Sequence, residues 1–529
     1  MRDLHLPGRS TVHSVNGMCA TSQPLAAEVA IATLRAGGNA VDAAIAASAV
    51  LCVIEPYNTG IGGDCFVLLS KKGSGDIVGL NGSGRAPKAV SLQKLKSAGV
   101  EALTLNSVHS VTVPGAVDAW ARLLADHGTM ELGRVLEPAI RLAEEGFAVA
   151  PRTALEWRFL EGHIAHDADA PKQYTRDGKA PRAGDKFHLP VLAKTLRLIG
   201  EKGRDAFYEG PVAEDMVTKL RSLGGFHTLE DFAATKSDYV TPIKTSYRGR
   251  DIHEIPPNGQ GITALLMLNI LSRTGLDGLP PHGAIRFHYE MEAARLAYDM
   301  RDKYVADPAF GAVPVDRLLS DELAEELAAQ IDPDRRIDNL SALRDPLNRD
   351  TVYLTVVDKD RNAVSFINSL FFGFGSGILA PESGVMFQNR GSGFVMQEGH
   401  LNCVEGGKRP LHTIIPAMMV EKGKAVMPFG VMGGAYQAVG HAHVVTNMID
   451  YGMDVQEALD SPRAFPGAEV LEVEHGISAE TREGLVARGH RIKDAFLPHG
   501  GGQAIVIDHE RGTLVAGSDP RKDGAAVGY

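Results

Sequence analysis

Apolar positions fall first into helical runs. Pro24 to Arg35 reads as a helix that stops at Gly37-Gly38, a pair suited to the turn that ends helices. Ala40 to Val53 is apolar on every face, and its Ala43, Ala44, Ala46, Ala47 and Ala49 suit a helix packed closely inside a core. The glycine-rich stretch Asn58-Thr59-Gly60-Ile61-Gly62-Gly63-Asp64 leads into Cys65-Phe66-Val67-Leu68-Leu69, which has strand character. The helical pattern returns from Pro114 to Glu145, over Leu192 to Ile199 and Ile262 to Leu271, and in an amphipathic acidic form over Leu318 to Ile331. Beyond that the texture changes. Leu343 to Arg349 is a polar, Pro-containing loop, and Thr351 to Val357 is β-branched and apolar, as a mostly buried strand should be. Asp358-Lys359-Asp360-Arg361-Asn362 is turn material and Ala363 to Phe371 returns as a second strand, which makes a hairpin. With the helix expected from Gln437 to Tyr451, the pattern predicts a mixed, layered architecture without short repeats.

Length and composition narrow the class. A chain of 529 residues exceeds one ordinary core and fits two large lobes or one large unit. Hydrophobic residues at 44% and charged residues at 22% exclude wholesale disorder and fibres. The net charge of -11 argues against a nucleic-acid surface. Cys19, Cys52, Cys65 and Cys403 lack paired spacing, so reduced thiols are expected rather than a zinc ribbon or disulfide framework. Met1 to Gly17 holds no apolar run after its charges, and Ala43 to Ile54 falls short of the ~20 residues that span a bilayer. No leader and no membrane partner are expected, and the location expected is cytoplasmic.

Several chemistries are missing from the sequence: no P-loop lysine, no GxSxG elbow, no HExxH helix. Asn58 to Asp64 could cradle an anion with backbone N–H groups, or be an ordinary glycine turn. His441 and His443 could offer a metal two imidazoles from a strand. On the helix predicted there, positions two apart diverge, which makes them packing or capping residues. Thr351 has two readings as well. It is a β-branched strand residue, or, if the backbone is cut before it, a nucleophile whose own α-amine serves as base.

The segment Asp350 to Asp360 resembles the start of the small subunit in the γ-glutamyltranspeptidase family (γ-glutamyltransferases, glutathione hydrolases), which are N-terminal nucleophile hydrolases. Further likenesses follow in order along the chain: Gly37 to Ala44, Gly60 to Asp64, Val113 to Ala116, Pro257-Asn258-Gly259-Gln260-Gly261, Phe374 to Gly377, Lys408 to Pro410, Gly433-Gly434, Asp454 to Leu459, and Asp519 to Ala526. The resemblance implies an α+β, four-layer αββα sandwich and a proenzyme that cuts itself between Asp350 and Thr351. A large subunit, 1–350, and a small one, 351–529, would then stay entwined as a heterodimer able to assemble further. Thr351 is the implied nucleophile, Ser369 its hydroxyl partner, and Gly433 and Gly434 the amides that hold the oxyanion. No cofactor and no metal are implied.

The family's substrate clamp departs here. Phe371, Arg390 and Gly393 occupy the positions of an Asn, a Gln and an Asp that grip the glutamyl group, and His412 and Thr413 those of a serine pair. The family's carboxylate-binding Arg falls near Ser83, two positions before Arg85. A phenylalanine cannot accept a hydrogen bond from an ammonium and a glycine offers no counter-charge, whereas Arg85 and Arg390 could each hold a carboxylate, unless they serve salt bridges elsewhere. The implied activity is amide hydrolysis of a γ-glutamyl type, with transfer to an amine as the companion reaction. The alternatives are a small carboxylate-bearing amide such as oxamate, since the chain resembles the leaderless branch that includes oxamate amidohydrolase, or a glutaryl-type acyl group. Rivals of another kind are an inactive binding module and a metal amidase built on His441 and His443.

Overall fold

The computed structural model describes residues 8–338, 340, 351–467 and 469–529. The loop expected at 343–349 and the cleavage residue Asp350 lie outside the described residues. Strand Val352–Val357 pairs antiparallel with Ala363–Ser369, Val352 facing Asn368 and Val357 facing Ala363. Asp358 closes the turn between them by accepting the Asp360 and Asn362 amides, each at 3.0 Å. Its other oxygen accepts the Ala40 amide at 3.0 Å, an anion seated at the start of helix Ala40–Ile54.

That hairpin is the middle of a seven-stranded sheet, in the order Ala525–Gly528, Met18–Thr21, Val352–Val357, Ala363–Ser369, Asp64–Ser70, Ile77–Gly82, Asp238–Val240. A second seven-stranded sheet runs Val12–Ser14, Thr513–Ser518, Gly501–Asp508, Lys424–Met432, Ala417–Glu421, Arg250–Glu254, Ile243–Tyr247. Both are antiparallel throughout.

Strand alternation sorts the core into layers. Val352, Leu354 and Val356 pack outward with helices Pro24–Arg35, Ala40–Ile54 and Ala116–His127. Tyr353 and Val357 point inward, between the sheets, among Phe66, Leu68, Ile367, Met418 and Ile505. Helices Gly261–Leu271, Ala284–Tyr304 and Tyr436–Ile449 cover the second sheet's outer face. The fold is the expected αββα sandwich.

Two helical expectations needed revision. The stretch from Pro114 to Glu145 is two helices, Ala116–His127 and Leu132–Glu145. Asp42 fixes the break by accepting the Thr129 amide and hydroxyl and the Met130 amide. The acidic helix expected from Leu318 to Ile331 contracts to Asp321–Ala328, capped by the Ser320 hydroxyl. No helix among the described residues is long and apolar enough to cross a membrane.

Candidate active site

Thr351 stands directly ahead of its strand and is fully buried. Its Oγ1 lies 3.1 Å from Ser369 Oγ, at the end of the paired strand. Two donors already address Ser369 Oγ: the Phe371 amide at 2.9 Å and Arg390 Nη2 at 3.4 Å. A hydroxyl addressed by two donors keeps its own proton to give, and Thr351 Oγ1 stands within reach of it. The glycine-rich loop supports this strand end from behind. A Cβ on Gly63 would sit 2.3 Å from the Ser369 carbonyl oxygen, and Asn368 donates to Thr59 Oγ1 at 2.8 Å. The loop ends in the Asp64 carboxylate, so it packs under a strand rather than around an anion.

Arg390 is a buried cation without a carboxylate in ion-pair range among the described residues. Nη1 donates to Thr413 Oγ1 at 2.7 Å, and the guanidinium lies 4.3 Å from the centre of the Phe371 ring. Burial pushes Arg390 down to about 9, with only the charge of Asp64 opposing. Phe371 presents that ring from a backbone φ of 82°, a left-handed conformation costly for a bulky residue.

His412 and Arg85 are placed differently. His412 Nε2 is 2.9 Å from Asp64 Oδ2, and Nδ1 accepts the Ile414 amide at 3.3 Å, so both ring nitrogens are bonded within the protein. Burial, with the Arg390 charge adding, holds His412 down to about 3, a neutral ring. Asp64 is further held by the Gly84 and Gly115 amides and by Gln388. Arg85, the other expected cation, directs its guanidinium to Asp307 at 3.4 Å, Asp238 at 3.5 Å and the Gly407 carbonyl at 3.1 Å. None of those bonds leads to Ser369 or Thr351.

Gly433 and Gly434 sit between strand Lys424–Met432 and helix Tyr436–Ile449 at φ 119° and 55°. A Cβ on Gly433 would meet Gly500 Cα at 2.9 Å. Successive positive-φ glycines at a helix start make a concavity of amides suited to a negative oxygen. Gln260 ties them to the rest, donating to the Thr413 carbonyl at 2.8 Å and the Gly434 carbonyl at 3.0 Å. An unbroken hydrogen-bonded path therefore runs Thr351, Ser369, Arg390, Thr413, Gln260, Gly434. Sequence reasoning quoted Gln260 and Asp64 within motifs without giving either a role.

The histidines behave as a helix dictates. His441 Nδ1 faces Glu254 at 2.7 Å and His443 Nδ1 faces Glu290 at 2.9 Å, so they do not converge. His288, Glu292 and His490 do converge, but their own bonds close the cluster. His288 Nδ1 is 2.8 Å from His490 Nε2, and Arg295 holds both Glu292 oxygens. Burial pushes the thiols of Cys19, Cys52 and Cys65 up, away from thiolate chemistry.

Two facing antiparallel sheets between helical layers, with a buried threonine heading a central strand, define an N-terminal nucleophile hydrolase. Within that class the chain belongs to the γ-glutamyltranspeptidase family, whose sequence profile (Gamma-glutamyltranspeptidase) matches residues 26–529. It is 40% identical over 517 residues to the glutathione hydrolase-like YwrD proenzyme of Bacillus subtilis (strain 168), covering 95% of this chain and 97% of that one. It is 32% identical to the oxamate amidohydrolase proenzyme of Klebsiella pneumoniae subsp. pneumoniae, covering 98% and 99%. The crystal structure of cephalosporin acylase from Bacillus halodurans superposes with a TM-score of 0.92 at 39% identity, covering 100% of this chain and 98% of that one.

Proposed function

We propose that the chain cuts itself between Asp350 and Thr351 and then hydrolyses amides whose acyl group carries a carboxylate and no required α-ammonium. The cut yields 1–350 and 529 − 350 = 179 residues, and frees the Thr351 amine. Thr351 Oγ1 attacks the amide carbonyl while the amine takes its proton. The tetrahedral oxyanion lies on the Gly433 and Gly434 amides, and the leaving amine departs with the proton. Water, activated by the same amine, then releases the acid from the acyl-enzyme. Ser369 orients Thr351, while His412 and Asp64 brace the wall beside Arg390.

One observation carries the substrate reading. Arg390 is a fully buried guanidinium supported by the Ser369 and Thr413 hydroxyls and the Phe371 ring, one hydrogen bond from the nucleophile's partner. A cation so placed calls for an incoming anion, whereas Phe371 and Gly393 offer an ammonium neither a side-chain hydrogen-bond acceptor nor a counter-charge, and the Phe371 ring already lies against the Arg390 guanidinium. The relatives named oxamate amidohydrolase and cephalosporin acylase support this class. The relative named glutathione hydrolase-like keeps a γ-glutamyl substrate as the second reading. Four unpaired cysteines suit a reducing compartment, which supports a cytoplasmic location.

The test has two parts. On a denaturing gel the purified chain should run as two bands, the smaller beginning at Thr351, and Thr351→Ala should stay whole and lose at least about 10⁴-fold in kcat. Glutaryl and γ-glutamyl p-nitroanilides differ by the α-ammonium, and the glutaryl compound should have the higher kcat/KM. A γ-glutamyl preference of tenfold or more overturns the substrate reading.

A further inference from the structure

The turn Pro257-Asn258-Gly259-Gln260-Gly261 leads into helix Gly261–Leu271, and Gln260 is fully buried. Every polar atom of its side chain is engaged. Nε2 donates to the carbonyls of Thr413 and Gly434, and Oε1 accepts from Arg301 Nη1 at 2.9 Å. Arginine can only donate, so Oε1 must face it and both amide hydrogens must face the carbonyls. Arg301 is fixed in turn by Asp302 at 2.8 Å and lies 4.5 Å over the Tyr298 ring. The Tyr298 hydroxyl donates to the Ala435 carbonyl, the next residue of the same loop.

Gly433 and Gly434 have no side chains to resist rotation, so their amides depend on neighbouring groups for their aim. An oxyanion donor works only if it is already aimed when charge develops, since a hydrogen bond weakens steeply off line. The Gly434 carbonyl shares its peptide plane with the Ala435 amide, and the plane carrying the Gly434 amide is the preceding one, whose Gly433 carbonyl accepts the Tyr436 amide at 3.0 Å. With that plane held by the helix start, Gln260 fixes the other end of Gly434 and so narrows the rotation open to its amide. We propose that Gln260, locked by Arg301, is a positioning residue that aims the Gly434 amide and sets its distance from the wall carrying Thr413 and Arg390. This rests on the oxyanion reading of the glycine pair given above.

A glutamine is the residue that fits. Glutamate would set a carboxylate oxygen against two carbonyl oxygens, and methionine would take the side-chain donor from the Thr413 carbonyl and leave the Gly434 carbonyl only the Gln437 amide at 3.3 Å. In the full-length, self-cleaved protein, Gln260→Met should lower kcat per active site by about tenfold to a hundredfold. KM for the glutaryl anilide should change less than about threefold, because the interaction acts on the transition state. Gln260→Glu should lose at least as much and carries the test if the Met variant is poorly folded. Arg301→Met should lose less and should add nothing to Gln260→Met. A purely structural role would lower the active-site titre and the melting temperature and leave kcat per titrated site alone; that outcome overturns the proposal. Gly433→Ala separates the two readings, because its φ of 119° and the 2.9 Å approach of a Cβ to Gly500 Cα force the amide pair to shift. If it loses kcat while the Gln260 variants keep theirs, the clamp fails and the oxyanion stands; if it folds and keeps full kcat, the oxyanion reading itself fails.

Discussion

Two arginines are fully buried in the part of the chain that follows Thr351, Arg390 and Arg463, and their surroundings differ in kind. Arg463 donates to Asp519 Oδ2 at 2.6 Å and to the His499 and Leu459 carbonyls at 2.7 and 3.1 Å. Against the burial that would raise it, the Arg463 and Arg521 charges hold Asp519 down to about 2. Arg390 meets hydroxyls and a ring, and burial pushes it down. The first charge meets a carboxylate as folded. The second meets none in ion-pair range among the described residues, and the anion of the proposed substrate is what would supply it.

The comparison breaks most visibly on stability. Arg463→Met leaves the buried Asp519 with Arg521 alone, at 3.2 Å, and should cost about 3 kcal/mol in denaturant unfolding, the low end for a broken buried pair, with KM unchanged in the surviving enzyme. Arg390→Met should do the reverse. KM for an anionic amide should rise about a hundredfold, and the melting temperature should hold or increase, because an uncompensated buried charge has gone. A melting loss matching that of Arg463→Met, with KM intact, would make the two arginines alike. Glu55 sharpens the contrast as a third solution, since burial pushes its carboxyl up from 4.5 to about 7 against the Asn58 amide donating at 2.7 Å. The folded chain then keeps a proton that the unfolded chain releases, so this stability is full below 4.5 and lost as pH rises through about 7. Glu55→Gln should gain on the parent by about 2–3 kcal/mol between those limits. Unfolding curves that stay parallel across that range would remove Glu55 from the comparison.

What the sequence displayed was whatever repeats locally. The hairpin from Val352 to Ser369 followed from β-branching and a polar turn, and helix Ala40–Ile54 from its alanines. Thr351, Ser369, Arg390, Thr413 and the glycine pair stand out by motif position, and the fold gathers all of them except Gly433 on one hydrogen-bonded path. Partnership was not legible. Asp64 and His412 are 348 positions apart, Gln260 and Gly434 are 174 apart, and no periodicity encodes which way a side chain turns. Arg85 illustrates the limit: its charge was evident, its commitment to Asp307 and Asp238 was not.

Strand Val352–Val357 lies between Met18–Thr21 and Ala363–Ser369, so the segments on either side of the proposed cut are woven through a single sheet. Once severed, the molecule is two polymers sharing one set of ladders. Melting would release a second body's translational freedom, and re-forming would become a collision problem that worsens on dilution. The endurance of the mature form would then depend on how rarely the weave opens, since little drives it to close again.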